Sequence, residues 1–593
     1  MSGCLNRRAL LRGVGAVGGS LALDTLMPAW ARNTTPGLAA GPVLSGPEIQ
    51  LTIDQMPFAV GGRTGRAVAV NGSVPGPLIR LREGQKLKLV TTNKLDEPTS
   101  VHKHGILVPF QFDGVPGVTF PGIAPGETIV EEFPIIQSGT YWYHSHSNLQ
   151  EQIGHYGPIV IDPAGPDPVA YDREHVLVLS DWTSMDPHMV MARLKAEPGY
   201  FNFRKQALVG LLSGKDQPLE QRLMWARMRM DPTDISDVTG STYTYLINGR
   251  GPEDNWTALF RPGERVRLRI INASAMTMFN VRIPGLSLDI VQADGQDVRP
   301  VAVDEFQIGV AETYDIVVRP MADKAFAFVA EAIDRSGMGR ATLAPRPGMT
   351  AAVPPLRRRP LATMADMGMG GMNTHGGGRA MPEMDHSAMP GMNMDDRGQA
   401  MPGMDMGGMG MREPANAPQV KMTPGVQTIL PMPVDRTNYP GLGLDDVGHK
   451  VLAYTDLVAL EPNPDPRPYS RTLEIHLTGN MERFMWSFDG VKFSEVKAPI
   501  PFRRDERVRV TLVNDTMMVH PIHLHGHFFE VVNGHSGRHP RKHTVNVQPG
   551  GKVSFDLTAN APGDWAFHCH LLYHMHAGMF QVVTVRPLDG GAA

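Results

Sequence analysis

Two distant stretches of the chain are copies of one another, and this repeat restricts the fold more than any other feature. Ala124 to His146 (APGETIVEEFPIIQSGTYWYHSH) aligns without a gap to Gln548 through His570 (QPGGKVSFDLTANAPGDWAFHCH). Gly139 falls on Gly563, Tyr141 on Trp565, His144 on His568 and His146 on His570, while Ser145 falls on Cys569. Upstream, Lys86 to Asn93 matches Arg507 to Asn514, and the same offset sets His102 on His523 and His104 on His525. Self-similarity of this kind marks one structural unit used more than once. A third, partial copy is Arg265 to Asn272. Counting on from Asn272, the two histidine positions hold Val281 and Ile283.

The repeated unit reads as a β-sandwich. Leu78-Ile79-Arg80-Leu81 and Lys86-Leu87-Lys88-Leu89-Val90 are short apolar stretches separated by Pro-Gly and Asn-Gly turns, which is strand-and-turn patterning. A chain of 593 residues with 42% hydrophobic content has room for several such cores. We place domains at residues 48–165, 174–345 and 426–593. The middle one keeps the scaffold without the histidines, so its expected task is to hold the outer two in register. Residues 185–235 are richer in Met, Leu and Arg and look like a helical insertion. Residues 346–425 form a Met-rich linker, dominated between Met364 and Met411 by Met, Gly, Pro and Asp. With little to bury, it is expected to be disordered or loosely collapsed.

The N-terminus reads as an export signal. Asn6-Arg7-Arg8-Ala9-Leu10-Leu11-Arg12 is a twin-arginine pattern, and Ala29-Trp30-Ala31 supplies a small-x-small cleavage site. Residues 1–31 are therefore assigned to a signal peptide and the mature protein to the periplasm. Cys4 leaves with the signal, so Cys569 remains as a lone thiol where disulfides form. An intrachain bridge is then impossible and a metal-bound thiolate is favoured. No later segment has the uninterrupted apolar length of a membrane span. The formal net charge of -4 gives no basis for nucleic-acid binding.

The C-terminal stretch His568-Cys569-His570-Leu571-Leu572-Tyr573-His574-Met575-His576-Ala577-Gly578-Met579 carries the chemistry. Cys569, His574 and Met579 are a thiolate, an imidazole and a weak thioether, and His520 supplies a second imidazole: the donor set of a blue-copper electron-transfer site. On a strand, Cys569 points to one face and His568 and His570 to the other, so the tripeptide serves two sites. Four His-x-His pairs then remain, His102/His104, His144/His146, His523/His525 and His568/His570. Each i, i+2 pair shares a face. Eight imidazoles suit three metals, two with three ligands and one with two, with coordination positions left for dioxygen.

These motifs resemble those of the multicopper oxidases, over nearly the whole mature chain except the Met-rich linker. The resemblance implies an all-β fold of three cupredoxin-like Greek-key sandwiches. It also implies four copper ions: type 1 at His520, Cys569, His574 and Met579, type 2 at His102 and His523, and a type 3 pair at His104, His144, His146, His525, His568 and His570. Such enzymes take electrons singly at type 1 and reduce dioxygen to water. Asp113, in Asp113-Gly114-Val115-Pro116-Gly117, matches a family carboxylate that assists proton delivery; a turn aspartate before glycine is the structural alternative. Two departures stand out. Lys103 replaces a usual Trp, which would set a cation beside the cluster. Met575 stands where several bacterial members carry a proton-relaying glutamate, leaving His576 as the candidate.

The linker suggests the donor. Thioethers favour Cu(I) over hard cations, and the twin-arginine signal with this segment resembles the periplasmic copper-resistance oxidases. The expected function is oxidation of Cu(I) to Cu(II). A laccase-like oxidase of small phenols is the alternative, and a non-enzymatic copper-sequestering protein the second. A complete set for oxygen chemistry argues against mere storage.

Overall fold

The computed structural model describes residues 42–368 and 412–588. The signal assignment, 1–31, and the run 369–411 lie outside these residues. Among the described residues six sheets pair into three β-sandwiches, with five and four strands in the first, six and five in the second, and seven and five in the third. Each sandwich repeats one frame. A parallel pair opens it, Glu48–Val60 with Lys86–Asn93, Arg173–Trp182 with Val266–Asn272, and Arg471–Asn480 with Arg507–Asn514.

The repeated asparagine explains why each copy turns alike. The Asn93 amide donates to the carbonyls of Glu97 and Ile123. Asn272 bonds Thr277 and Ile308, and Asn514 bonds Met518 and Val547. Each side chain thereby ties the following loop to another strand while satisfying its own buried polar atoms. The chain then enters the strand that carries the first histidine pair. His102 pairs with His144 and His523 with His568 across antiparallel strands. The equivalent ladder of the middle sandwich pairs Val281 with Ala330. Apolar side chains there, all buried, extend the core where the outer copies gather imidazoles.

Buried charges fix the sandwiches against one another. Arg80 of the first binds Glu174 of the second at 2.6 Å and Asp162 at 2.5 Å. Arg269 reaches Glu174 at 2.7 Å, Asp315 at 2.8 Å and the Thr140 hydroxyl at 2.9 Å. Between the second and third, Lys542 lies 3.0 Å from both Asp294 and Glu312. Such networks cost desolvation, so their yield is a single docking geometry more than raw stability.

The insertion is helical as expected, with helices at Pro187–Ala196, Leu208–Leu212 and Leu219–Arg227. Asp186 caps the first by accepting from His188 N–H, and Pro187 follows at the position where a missing N–H costs nothing. The linker departs from expectation at both ends. Arg357 binds the buried carboxylates Glu305 and Glu331, and Asp366 pairs with Arg436 at 2.6 Å. Met367 is fully buried, and Ala417 and Val420 join Val426 and Ile429 in a small core. Sparse apolar content did not leave residues 346–368 and 412–425 loose, because ion pairs and a few well-placed apolar side chains dock them.

Candidate metal centre

The strand Gly563–Cys569 ends on the thiol, and the short helix Leu572–Ala577 carries His574 back over it. Gly578 breaks the helix with φ 130°, a conformation that side-chain-bearing residues rarely adopt. This return lets the Met579 carbonyl accept from Cys569 N–H at 3.1 Å. His520 starts the neighbouring strand. Cys569 Sγ then lies 3.4 Å from His520 Nδ1 and 3.9 Å from His574 Nδ1, and the two nitrogens are 3.3 Å apart. The opposite nitrogens are engaged, His520 Nε2 with the Thr516 hydroxyl and His574 Nε2 with Asp237, each at 2.7 Å. Both rings are thereby fixed with Nδ1 turned to the thiol. Trp486 stacks on His574 at 3.8 Å. Met579 is fully buried in the same core as Cys569.

On the other side of the Cys569 strand, the first and third sandwiches bring all eight remaining histidines together. Their donor atoms fall into sets within 4.8 Å: His102, His104 and His523; His104, His144 and His570; His146, His525 and His568. The strand alternation anticipated for His568, Cys569 and His570 is what separates this cluster from the thiol site.

The hydrogen bonding shows which nitrogens are reserved. His102 Nδ1 meets the Asp113 carbonyl at 2.7 Å, and His523 Nδ1 meets the His543 carbonyl at 2.7 Å. His525 Nδ1 meets Asp113 Oδ2 at 2.8 Å, and His568 Nδ1 meets the Cys569 carbonyl at 3.0 Å. The inward atoms, Nε2 of His102, His144, His146, His523 and His570 with Nδ1 of His104, are buried and lack any hydrogen-bond partner. A buried polar atom without a partner is costly. Six in one cluster, each backed by an anchored ring or a flanking strand, fit a set of metal ions. Burial and then neighbouring imidazoles hold His104, His144, His146, His523 and His525 well below the usual histidine range. Burial holds His568 at about 3. Neutral imidazole is the form that ligates. Burial also raises the Cys569 thiol, a cost that a bound cation offsets by stabilising the thiolate.

Sequence patterns missed several partners. Asp237 comes from the segment after the helical insertion, and burial pushes its carboxyl up to about 7. Glu151, fully buried, lies 2.7 Å from His144 Nδ1 and 4.0 Å from His570 Nδ1. His543, outside the four His-x-His pairs, has its ring 4.7 Å from that of His104. None belongs to a spaced motif. Two expectations are corrected. Lys103 points away from the cluster, as the alternation of its strand requires, and binds Glu131 at 2.6 Å and the Phe112 carbonyl at 2.7 Å. His576 is exposed on its helix; the carboxylates that touch the cluster are Asp113 and Glu151.

Models of the multicopper oxidase family match residues 52–165, 173–353 and 466–589. The chain is 47% identical to copper resistance protein A of Escherichia coli over 98% of this chain and 99% of that one. It is 50% identical to the copper resistance protein A homolog of Pseudomonas syringae pv. tomato, over 94% and 95%. Laccase-2 of Thanatephorus cucumeris is 27% identical over 89% of each. In fold it is similar to Fet3p, a multicopper oxidase that functions in iron import, with TM-score 0.61 and 19% identity over 92% of this chain and 91% of that one. Three sandwiches, a Cys-His site and an eight-histidine cluster define a copper-dependent oxidoreductase that uses oxygen. The chain belongs to the multicopper oxidase family.

Proposed function

We propose that this protein oxidises Cu(I) to Cu(II) in the periplasm, with dioxygen as acceptor, and so serves copper tolerance. Four copper ions are assigned. His520, Cys569, His574 and Met579 hold type 1, and His102 and His523 hold type 2. His104, His144 and His570 hold one member of the type 3 pair; His146, His525 and His568 hold the other. When bound, copper supplies reversible one-electron chemistry and a place for dioxygen to be reduced.

The chain's own residues do the rest. Cys569 is covalently continuous with His568 and His570, so two paths lead from the donor side to the cluster, each crossing a single peptide unit. Asp113 holds His102 through its carbonyl and His525 through its carboxylate. With Glu151, 2.7 Å from His144, it is a carboxylate placed to move the protons that water formation from dioxygen requires. The apolar core around Cys569 keeps solvent from the thiolate.

The observation that carries the Cu(I) reading is a cluster of methionines. Met367 and Met517 are buried against Trp225, and Met228, Met230, Met364 and Met481 pack around them. Met517 lies three residues before His520. Soft thioethers at the approach to type 1 favour Cu(I) over a phenol. Names of the relatives at 47% and 50% identity agree with this reading. The test is oxygen uptake by the copper-loaded protein with Cu(I) or a phenol as donor, for the parent and for Met517→Leu/Met367→Leu. Selective loss of Cu(I) turnover is expected. Parallel loss, or none, would turn the assignment towards a laccase-like donor.

A further inference from the structure

The insertion presents a surface that the oxidase chemistry does not use. Phe203, Leu208, Val209, Leu212, Leu219 and Leu223 are all exposed, Val209 and Leu212 by more than three quarters. Meanwhile several polar groups of this segment bond to one another. Gln206 Nε2 donates to Gln217 Oε1 at 2.9 Å and Gln217 N–H to Gln206 Oε1 at 2.9 Å. Ala207 N–H donates to Asp216 at 3.1 Å, and Arg222 donates to the Gln206 and Ala207 carbonyls. These bonds lash the two helices Leu208–Leu212 and Leu219–Arg227 into a hairpin with apolar side chains outward. Water selects the opposite arrangement.

The hairpin is anchored to the body of the protein. Trp225 is buried, Arg204 donates to the Asp334 and Arg335 carbonyls, and Arg359 reaches Asp216 at 3.3 Å. Its charge is opposite to that of the chain. Between 203 and 230 stand six cations, Arg204, Lys205, Lys215, Arg222, Arg227 and Arg229, against two acids, Asp216 and Glu220, a balance of +4 in a chain of -4. Lys205, Lys215 and Arg227 are exposed.

We propose that this hairpin is a docking element for an anionic lipid bilayer surface. Aliphatic side chains on one side with a basic rim are the composition of an element that lies in the headgroup boundary. The aliphatic groups enter the acyl margin and the long basic side chains snorkel to the phosphates. A protein partner fits less well, because its hot spots favour Trp, Tyr and Arg, whereas Leu and Val dominate here. Docking would also place the methionine cluster near the membrane, since Trp225 lies on the second helix and Met228 and Met230 follow directly from it. The inference stands whether or not Cu(I) is the donor.

The copper-loaded protein is to be sedimented with phosphatidylcholine vesicles, plain or doped with phosphatidylglycerol. Binding is expected only to the doped vesicles and should weaken as salt screens the charges. Leu208→Gln/Leu212→Gln should abolish it, and Lys205→Gln/Lys215→Gln/Arg227→Gln should weaken it about 100-fold, taking roughly a factor of five per basic residue. Both variants should keep the parent's blue absorption and its turnover of a soluble donor. Equal sedimentation with plain and doped vesicles would overturn the proposal, as would undiminished binding by both variants. A dimer in light scattering that Leu208→Gln/Leu212→Gln dissolves, without vesicle binding, would assign the face to a second copy instead.

Discussion

The carboxylate of Asp113 and Nδ1 of His525 lie 2.8 Å apart although 412 residues separate them in sequence. This contact joins the first sandwich to the third at the histidine cluster. Removing it should loosen one imidazole and leave His102 with its backbone anchor alone. Asp113→Ala is expected to lower oxygen reduction about 10- to 100-fold, the usual cost of losing a partner of a ligating histidine. The blue absorption should survive. Loss of the blue band with the trinuclear signals intact would contradict the arrangement.

Cys569→Ser should abolish the blue absorption and reduce oxidase activity to background. A hydroxyl replaces neither the ligating nor the electronic role of a thiolate. The fold should hold, because Ser145 occupies the equivalent position of the first sandwich, buried and hydrogen-bonded to Gln150 at 2.8 Å. Far-ultraviolet dichroism and the absorption spectrum together check this.

His104→Ala should separate the two half-reactions. His104 is fully buried in the cluster and is absent from the set around Cys569. In anaerobic stopped flow, donor should still bleach the blue band; on admitting air, the colour should fail to return. Full reoxidation would mean that the ligands are divided differently.

Glu174 predicts an acid limit on stability. Burial alone would raise its carboxyl, but the charges of Arg269 and then Arg80 outweigh it and hold the group at about 2. A folded value below the unfolded one stabilises fully above about pH 4.5 and is lost as pH falls towards 2, an effect on the order of 3 kcal/mol. Glu174→Gln should therefore lower Tm at pH 7, and the gap to the parent should narrow below pH 4. A constant gap across that window would show that the carboxylate charge is not what matters.

Excision of residues 369–411 tests the linker. The cut begins after Gly368 because Met367 is buried and Asp366 is paired with Arg436. With a short Gly-Ser replacement, Cu(I) oxidation at low copper should fall, since tethered thioethers raise the local concentration of captured metal. Turnover of a small phenol should not fall. Equal loss with both donors would point to damaged scaffold.

The repeats, the clustering of the histidine pairs and the β-sandwich class were legible in the sequence because each rests on local geometry. A His-x-His pair on a strand shares a face wherever the strand goes, and an insertion of Cys569 between two histidines sends thiol and imidazoles to opposite sides for the same reason. The same rule, applied to Lys103, would have turned it away from the cluster towards Glu131. What the tertiary structure alone decided is non-local. Which histidines gather into the sets His104, His144, His570 and His146, His525, His568 depends on how two sandwiches close on each other. Asp237 and Glu151 reach the sites from segments with no periodic pattern, and the linker ends dock through ion pairs that join distant residues. Such contacts are set by the packing of whole domains, and no spacing along the chain encodes them.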